Sequence, residues 1–336
     1  MQAAEALRNI AYLLEAEGAE TYKVQAFRRA AATVDNVAPD ELARLAEHGR
    51  LETLAGVGKS TASVISEVLS GCVPGYLSAL QDRATGLPAG PAGELLRALR
   101  GDCHSHSDWS DGGSPIEEMA RSGLELGHEY LGLTDHSPRL TVANGLSAAR
   151  LRQQLDVVAD VNEKMAPFRL LTGIEVDINE DGSLDQEEGL LARLDVVVAS
   201  VHSKLRMEKA EMTSRMIAAV ENPHSDILGH CTGRRIIGRQ RPQSSFDHEA
   251  VFSACAATGT AVEINSRPDR RDPPEELLRA AVAAGCRFSI DSDAHAPGQL
   301  SWLRLGCEQA AGAEVPVGTI VNTMPLEDLL AWAAGH

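Results

Sequence analysis

The chain reads as an α/β protein: a distorted barrel of about seven parallel strands, with a small all-α domain at its N-terminus. Three observations lead there. Through residues 1–82 apolar residues recur at helical spacing, and no β-branched run is long enough for a strand. From residue 101 onward, short apolar runs alternate with helical stretches. Between the two, the composition turns to Gly, Ala and Pro with almost no charge. A length of 336 residues accommodates one barrel-sized domain and a smaller one.

In the opening MQAAEALRNIAYLLEAEGAE, residues Leu7, Ile10, Ala11 and Leu14 share one helical face and charges interrupt the run. This predicts an amphipathic helix rather than a signal peptide or membrane span. Breaks at GAET, APDE and GVGKS divide the rest of residues 1–82 into further helices. ATGLPAGPAG, Ala84 to Gly93, reads as a linker or exposed loop, so residues 83–100 are expected to join the two domains. GDCHSH, YLGLTDH, RLLTGIEVDI, LDVVVASVHS, DILGH, TAVEINS and CRFSIDSD then read as strands, with SPIEEMARSGLELG and PPEELLRAAVAAG among the helices between them. An open doubly wound sheet is the alternative, but no glycine fingerprint follows a first strand.

With 31 Lys and Arg against 48 Asp and Glu, the net charge of −17 opposes indiscriminate binding to nucleic acid or anionic membrane. A polyanionic substrate must be held by local features, and no membrane partner is expected. The six cysteines contain no CxxC pair and read as reduced thiols of a cytoplasmic protein.

The stretch GDCHSHSDWSDG sets His104 and His106 two apart, on the same face of a strand, ahead of Asp111. Two neutral imidazoles side by side suit a divalent cation. Alone, such a pair reads more readily as surface or hydrogen-bonded histidines, but five of the six later strands also end in candidate ligands. Asp135 and His136 follow YLGLT, and Glu175, His202 and His230 end their strands; Asp293 and His295 follow SIDS. In a parallel barrel these ends share one face. His104, His106, Asp111, His136, Glu175, His202, His230, Asp293 and His295 exceed the needs of one tetrahedral zinc. Their mixed N and O donors suit two or three zinc, manganese or iron ions, with Glu175 as the bridge. Histidines that merely cap loops are the alternative; six of them with three acids argue against it. His48, His128, His224, His248 and His336 read as ordinary.

Clustered divalent ions activate water and clamp phosphate-ester oxygens, so phosphoester hydrolysis is the expected reaction. His202, Asp293 and His295 are candidates for catalytic roles, the last two in proton transfer. GHCTGRR and NSRPDRR bring Arg234, Arg235, Asn265, Arg267, Arg270 and Arg271 near two strand ends, where they hold phosphate or remain solvated loop residues. Arg234, Asn265 and Arg270 are the substrate candidates.

HSHSDWSDG, LGLTDHSP, GIEVDI, VVASVHS, ILGHCTGR, VEINSRPDR and DSDAH together resemble the PHP (polymerase and histidinol phosphatase) superfamily over residues 101–336. The resemblance implies a distorted seven-stranded barrel whose nine ligand positions, all filled here, form an active trinuclear centre. The wording is nearest to the PHP domain of bacterial family X DNA polymerases. That implies a manganese-dependent 3′ to 5′ exonuclease and 3′ phosphoesterase acting on DNA ends in repair. Cys231 departs from the proline usual after the histidine of that motif and is expected to fill space.

LETLAGVGKSTASVISEVLSG resembles the helix-hairpin-helix of the same polymerases, and TYKVQAFRRAA the helix before it. Gly56 and Gly58 would present backbone N–H groups to a DNA phosphate, with Lys23, Arg28 and Arg29 adding charge. Seven basic against eleven acidic residues up to Asp82 predict weak, salt-sensitive contact. Ser60 and Val64 stand where the eukaryotic repair relative carries lyase lysines, so no lyase is expected, and the short linker leaves no room for a polymerase palm. Three alternatives stay open: a small-molecule phosphatase of the histidinol-phosphate type, a binding module with a remnant barrel, and a helical domain that binds protein or is purely structural.

Overall fold

The computed structural model describes residues 1–84 and 86–335; Thr85, inside the predicted linker, and His336 lie outside them. The chain divides into two compact units, Met1–Gly86 and Leu87–His336. No helix among the described residues is long and apolar enough to cross a membrane.

The first unit contains α1 (Ala3–Ala16), α2 (Thr21–Asp35), α3 (Pro39–Glu47), α4 (Lys59–Leu69) and α5 (Gly75–Arg83). Leu7, Ile10, Ala11 and Leu14 of α1 lie one helical turn apart and pack with Phe27, Val34 and Ile65 in one core. Before α4 the chain turns at Gly56, whose φ of +75° needs a glycine and which lies beside Arg29 on α2.

The second unit begins with α6 (Gly90–Ala98), so residues 90–98 of the predicted linker are helical. Leu95 joins the barrel's core, and Pro91 fits the first helical turn, where its missing N–H costs nothing. The strands are β1 (Gly101–Ser105), β2 (Tyr130–Leu133), β3 (Arg169–Asp177), β4 (Val196–Ser200), β5 (Ile227–Leu228), β6 (Ala261–Asn265) and β7 (Phe288–Asp291). Between them run α7 (Ile116–Glu125), α8 (Ala148–Met165), α9 (Glu188–Leu191), α10 (Lys209–Val220), α11 (His248–Thr258) and α12 (Glu275–Ala283). After β7 come α13 (Leu303–Gly312) and α14 (Leu326–Ala333). All seven strands pair in parallel in sequence order.

Alternation along the strands separates two environments. Ile174, Val176, Val197, Ala199, Val262, Ile264 and Ile290 pack in one core with helix residues such as Met212, Phe252 and Leu278. The residues between them, including Glu175, Asp177, Glu263, Asn265 and Asp291, take the opposite face, the barrel interior.

The seam between β1 and β7 brings the sheet round into a nearly closed barrel rather than an open sheet. Ser105 bridges to Ala294 in parallel, and below it side chains take over from backbone. Asn322 Nδ2 donates to the carbonyls of Gly101 (3.0 Å) and Ile290 (2.6 Å), and its Oδ1 accepts the Ile290 N–H (3.1 Å). Asp291 accepts the Cys103 N–H at 2.8 Å, and Asp102 accepts from the Ser292 hydroxyl and N–H. Burial pushes Asp102 up to about 6, against the hydrogen bonds of Ser292 and His104. Burial beside Asp102 and Glu263 pushes Asp291 well above the usual carboxylate range.

Candidate metal centre

Parallel strands leave all their carboxyl ends on one face, and the nine predicted side chains meet there. His104 lies in β1 with His106 just past it, and Asp111 sits in the loop toward α7. Glu175 lies within β3, while His136, His202, His230, Asp293 and His295 follow β2, β4, β5 and β7.

Glu175 is central. Its Oε2 lies 2.8 Å from His136 Nδ1, 3.5 Å from His104 Nε2 and 3.6 Å from His106 Nε2. Its Oε1 lies 3.0 Å from His230 Nε2 and 3.2 Å from His202 Nε2. Around this hub, Asp293 Oδ1 is 3.4 Å from His106 Nε2, and Asp111 Oδ1 is 3.3 Å from His295 Nε2 and 3.5 Å from His136 Nε2. Glu175, His104, His106 and His230 are at most 1% exposed in their side chains, whereas Asp111 is 38% exposed and His295 20%. The cluster therefore has a dry floor and opens to solvent at Asp111 and His295.

The donors fit metal ions. Glu175 Oε2, His136 Nδ1 and His202 Nε2 are enclosed without a hydrogen-bond partner despite their short separations, because the atoms meet in geometry no N–H···O bond satisfies. Three overlapping groups each keep their ligand atoms within 4.8 Å: His106, Asp111, His136 and His295; His104, His106 and Glu175; and His136, Glu175 and His202. Mixed imidazole and carboxylate donors of this kind suit zinc, manganese or iron.

Electrostatics follows from the crowding. Burial works against the charged form of Glu175, but His202, His136 and His104 outweigh it and hold the carboxyl well below the usual range. The same balance holds Asp293 down, with Arg267 as the leading opposing charge. Burial next to His295 and His136 keeps His106 well below the ordinary imidazole range.

Several side chains that support these groups carry no signature in the one-dimensional pattern. Asp177 Oδ1 lies 2.5 Å from His202 Nδ1, and Glu263 Oε1 lies 2.6 Å from His104 Nδ1. Their position two residues from Glu175 and Asn265, on the same strand face, is the only available signal. Asp135, grouped with His136 by sequence, instead accepts bonds from Ser107, Ser110 and Gln154 and anchors the loop carrying Asp111.

The predicted substrate residues separate. Arg270 is 7% exposed, its Nε 3.4 Å from Asp293 Oδ2, and its Nε and Nη1 make no hydrogen bond. Such a guanidinium beside the cluster is suited to an anion. Arg234 is partly committed: its Nε and Nη2 donate to the carbonyls of Arg270 and Arg271, bracing that loop. Asn265 is likewise internal, wholly buried, with Nδ2 shared between Glu263 (3.2 Å) and Asp293 (3.1 Å). Arg267 sits at the open edge, its Nη1 3.0 Å from His295 Nδ1 and 3.5 Å from Asp293 Oδ1. Cys231 is buried beside Asp272, 3.8 Å from Oδ1, and belongs to none of the metal-binding groups among the described residues.

In the helical unit, Lys23 and Arg29 are exposed, as are Gly56 and Gly58. Arg28 is committed elsewhere: its Nε and Nη2 bind the two oxygens of the buried Glu15 at 2.7 and 3.0 Å. The Gly58 N–H is taken by the Thr61 hydroxyl at 2.9 Å, which caps α4.

Comparison with known proteins matches both units. A helix-hairpin-helix domain model matches residues 1–71, and a PHP domain model matches residues 102–267. The DNA polymerase/3'-5' exonuclease PolX of Bacillus subtilis is 38% identical over 237 residues, 70% of this chain and 41% of the relative, so the chain spans less than half of that protein. Probable phosphatase TTE1963 of Caldanaerobacter subterraneus subsp. tengcongensis is 30% identical over 214 residues, 60% of this chain and 79% of the relative. A histidinol phosphate phosphatase structure from Lactococcus lactis, complexed with zinc, L-histidinol and phosphate, aligns at a TM-score of 0.48 and 18% identity, over 66% of this chain and 94% of its own. With the PHP model matching β1 through β6 and seven of the nine clustered side chains, and a relative 30% identical covered over 79% of its length, the chain belongs to the PHP family of phosphoesterases.

Proposed function

We propose that this chain is a metal-dependent phosphoesterase acting on the 3′ ends of DNA, where it removes nucleotides or phosphates. The observation that carries the reading is the union, in one chain, of a helix-hairpin-helix match at residues 1–71 with the cluster around Glu175. The PolX relative, named as a 3'-5' exonuclease, supports the same substrate class. The two units follow one another directly at Gly86 and Leu87, so the reading does not include polymerisation.

His104, His106, Asp111, His136, Glu175, His202, His230, Asp293 and His295 would hold two or three divalent ions, manganese, zinc or iron. Such ions supply Lewis acidity toward a phosphoryl oxygen and lower the pKa of water. The chain's own residues do the rest. Arg270, with two unmet donors, and Arg267 at the open edge orient the phosphate against the cluster. His295, 20% exposed between Asp111 and Arg267, is an outer member of this set; where it is not bound to an ion, it is placed to pass a proton to the leaving oxygen. The dry floor keeps Glu175 and His104 from competing water. Exposed Lys23, and Arg29 beside the Gly56 turn, would hold the nucleic acid, as weak contacts that lose strength with salt.

A second reading, a phosphatase of small phosphomonoesters, is favoured by one observation. Relatives covered over 79 to 89% of their length are named probable phosphatases and align with only 60 to 66% of this chain. The two readings separate when manganese-loaded protein is offered a 5′-labelled oligonucleotide and, separately, histidinol phosphate, with Lys23→Glu alongside wild type. Shortening of the oligonucleotide, weakened by Lys23→Glu while the small ester is unaffected, supports the DNA-end reading. Turnover of the small ester alone replaces it with the second.

A further inference from the structure

We propose that Glu263 is a positioning residue that fixes three candidate metal ligands at once. Glu263 is wholly buried in β6. Its Oε1 lies 2.6 Å from His104 Nδ1, and its Oε2 accepts the backbone N–H of His230. The same Oε2 accepts from Asn265 Nδ2 at 3.2 Å, and that amide also bonds Asp293 Oδ2 at 3.1 Å. One carboxylate thus reaches His104 through its ring, His230 through its backbone and Asp293 through Asn265.

The consequence for His104 is chemical. A carboxylate only accepts, so His104 must donate from Nδ1, which leaves the Nε2 lone pair facing the cluster. That Nε2 lies 3.5 Å from Glu175 and 3.2 Å from His106 Nε2. A partner of this kind also strengthens the imidazole as a ligand. The consequence for His230 is conformational. Its φ of 21° is in a region that non-glycine residues rarely occupy, and the Glu263 bond is one of the contacts that hold the backbone there. Glutamine is a poor replacement: its Oε1 could still accept from His104, but its amide group would meet the His230 N–H donor to donor.

The inference rests on His104 being a metal ligand, so the test includes that residue. Zinc binding by wild type, His104→Ala and Glu263→Gln is measured by titration calorimetry and by bound-metal content, with circular dichroism of each metal-free protein. His104→Ala is expected to lose zinc. Glu263→Gln is expected to bind at least one ion about 10- to 100-fold more weakly, with an unchanged spectrum. Wild-type affinity and content in Glu263→Gln, with loss in His104→Ala, would overturn the role of Glu263 alone; retention in both would remove the ligand reading and the proposal together. If Glu263→Gln does not fold, ¹⁵N spectra of the histidine rings in zinc-loaded wild type decide. A proton on His104 Nδ1 is expected, and its absence overturns the assignment.

Discussion

Replacing Arg270 by methionine is expected to separate turnover from stability. Losing one partner of a buried ion pair ordinarily costs about 3–5 kcal/mol, because a charge is left alone. Here Asp293 retains Arg267 at 3.5 Å and Asn265 at 3.1 Å, so its charge is not abandoned. The enclosed Nε and Nη1 of Arg270, neither hydrogen-bonded, disappear with the substitution. Each unmet buried donor costs about 1–3 kcal/mol, which offsets much of the lost attraction. The net change in stability should stay within about 1 kcal/mol, a shift in melting temperature of roughly 2–4 °C for a domain of this size.

Under the proposed function the two donors would each meet an oxygen of the substrate phosphate, and each charge-assisted bond contributes about 1.5–3 kcal/mol. Losing both gives about 3–6 kcal/mol, so kcat/KM should fall by roughly two to four orders of magnitude. Initial rates of metal-loaded enzyme on bis(p-nitrophenyl) phosphate and on an oligonucleotide, beside a thermal melt, provide both readings. A variant with kcat/KM within about threefold of wild type would show that Arg270 does not face the phosphate. A melting temperature lowered by more than about 10 °C would show that its unmet donors are not a cost to the fold.

Chelation of divalent metals should abolish phosphoesterase activity and lower the melting temperature of the barrel, with recovery on adding manganese or zinc; an ion at about a hundred times its Kd contributes about 2.7 kcal/mol. Asn322→Ala should destabilise the barrel by about 3 kcal/mol, because it strips partners from the Gly101 and Ile290 carbonyls and the Ile290 N–H at the seam; a urea midpoint close to wild type would contradict that account. Burial holds the His128 imidazole down to about 4 from 6.5, and its Nδ1 has no partner. The unfolded chain therefore binds the proton first, and stability falls as pH drops from 6.5 toward 4. His128→Asn should flatten part of that fall in denaturant titrations, and an unchanged slope would mean that the ring charges freely in the fold.

Much of the site was legible because it is written in local pattern. A histidine or acid at the end of a short apolar run is visible wherever the run is visible, and parallel topology alone then brings His104, Glu175, His202, His230 and Asp293 to one face. At residues 90–98 composition does not separate a loop from a short helix: the Gly, Ala and Pro at its start look like a linker, yet the segment is helical and its Leu95 packs into the barrel's core.

Partner choice was not legible. Arg28 and Arg29 are neighbours in sequence, yet a helix turns successive residues about 100° apart, so one meets buried Glu15 while the other faces solvent. Arg234 and Arg270 look alike in their loops, but only contact in space shows that the first is partly spent on carbonyls and the second is not.

The sequence by itself determined the helical unit, the seven-strand alternation and the nine side chains of the cluster, because each depends on residue type and spacing within one element. Only the tertiary structure decided the closing of the seam through Asn322, the service of Glu263 and Asp177 to His104 and His202, and the availability of Arg270. A hydrogen bond between residues 159 positions apart, as from His104 to Glu263, leaves no periodic trace along the chain and exists only once the barrel has closed.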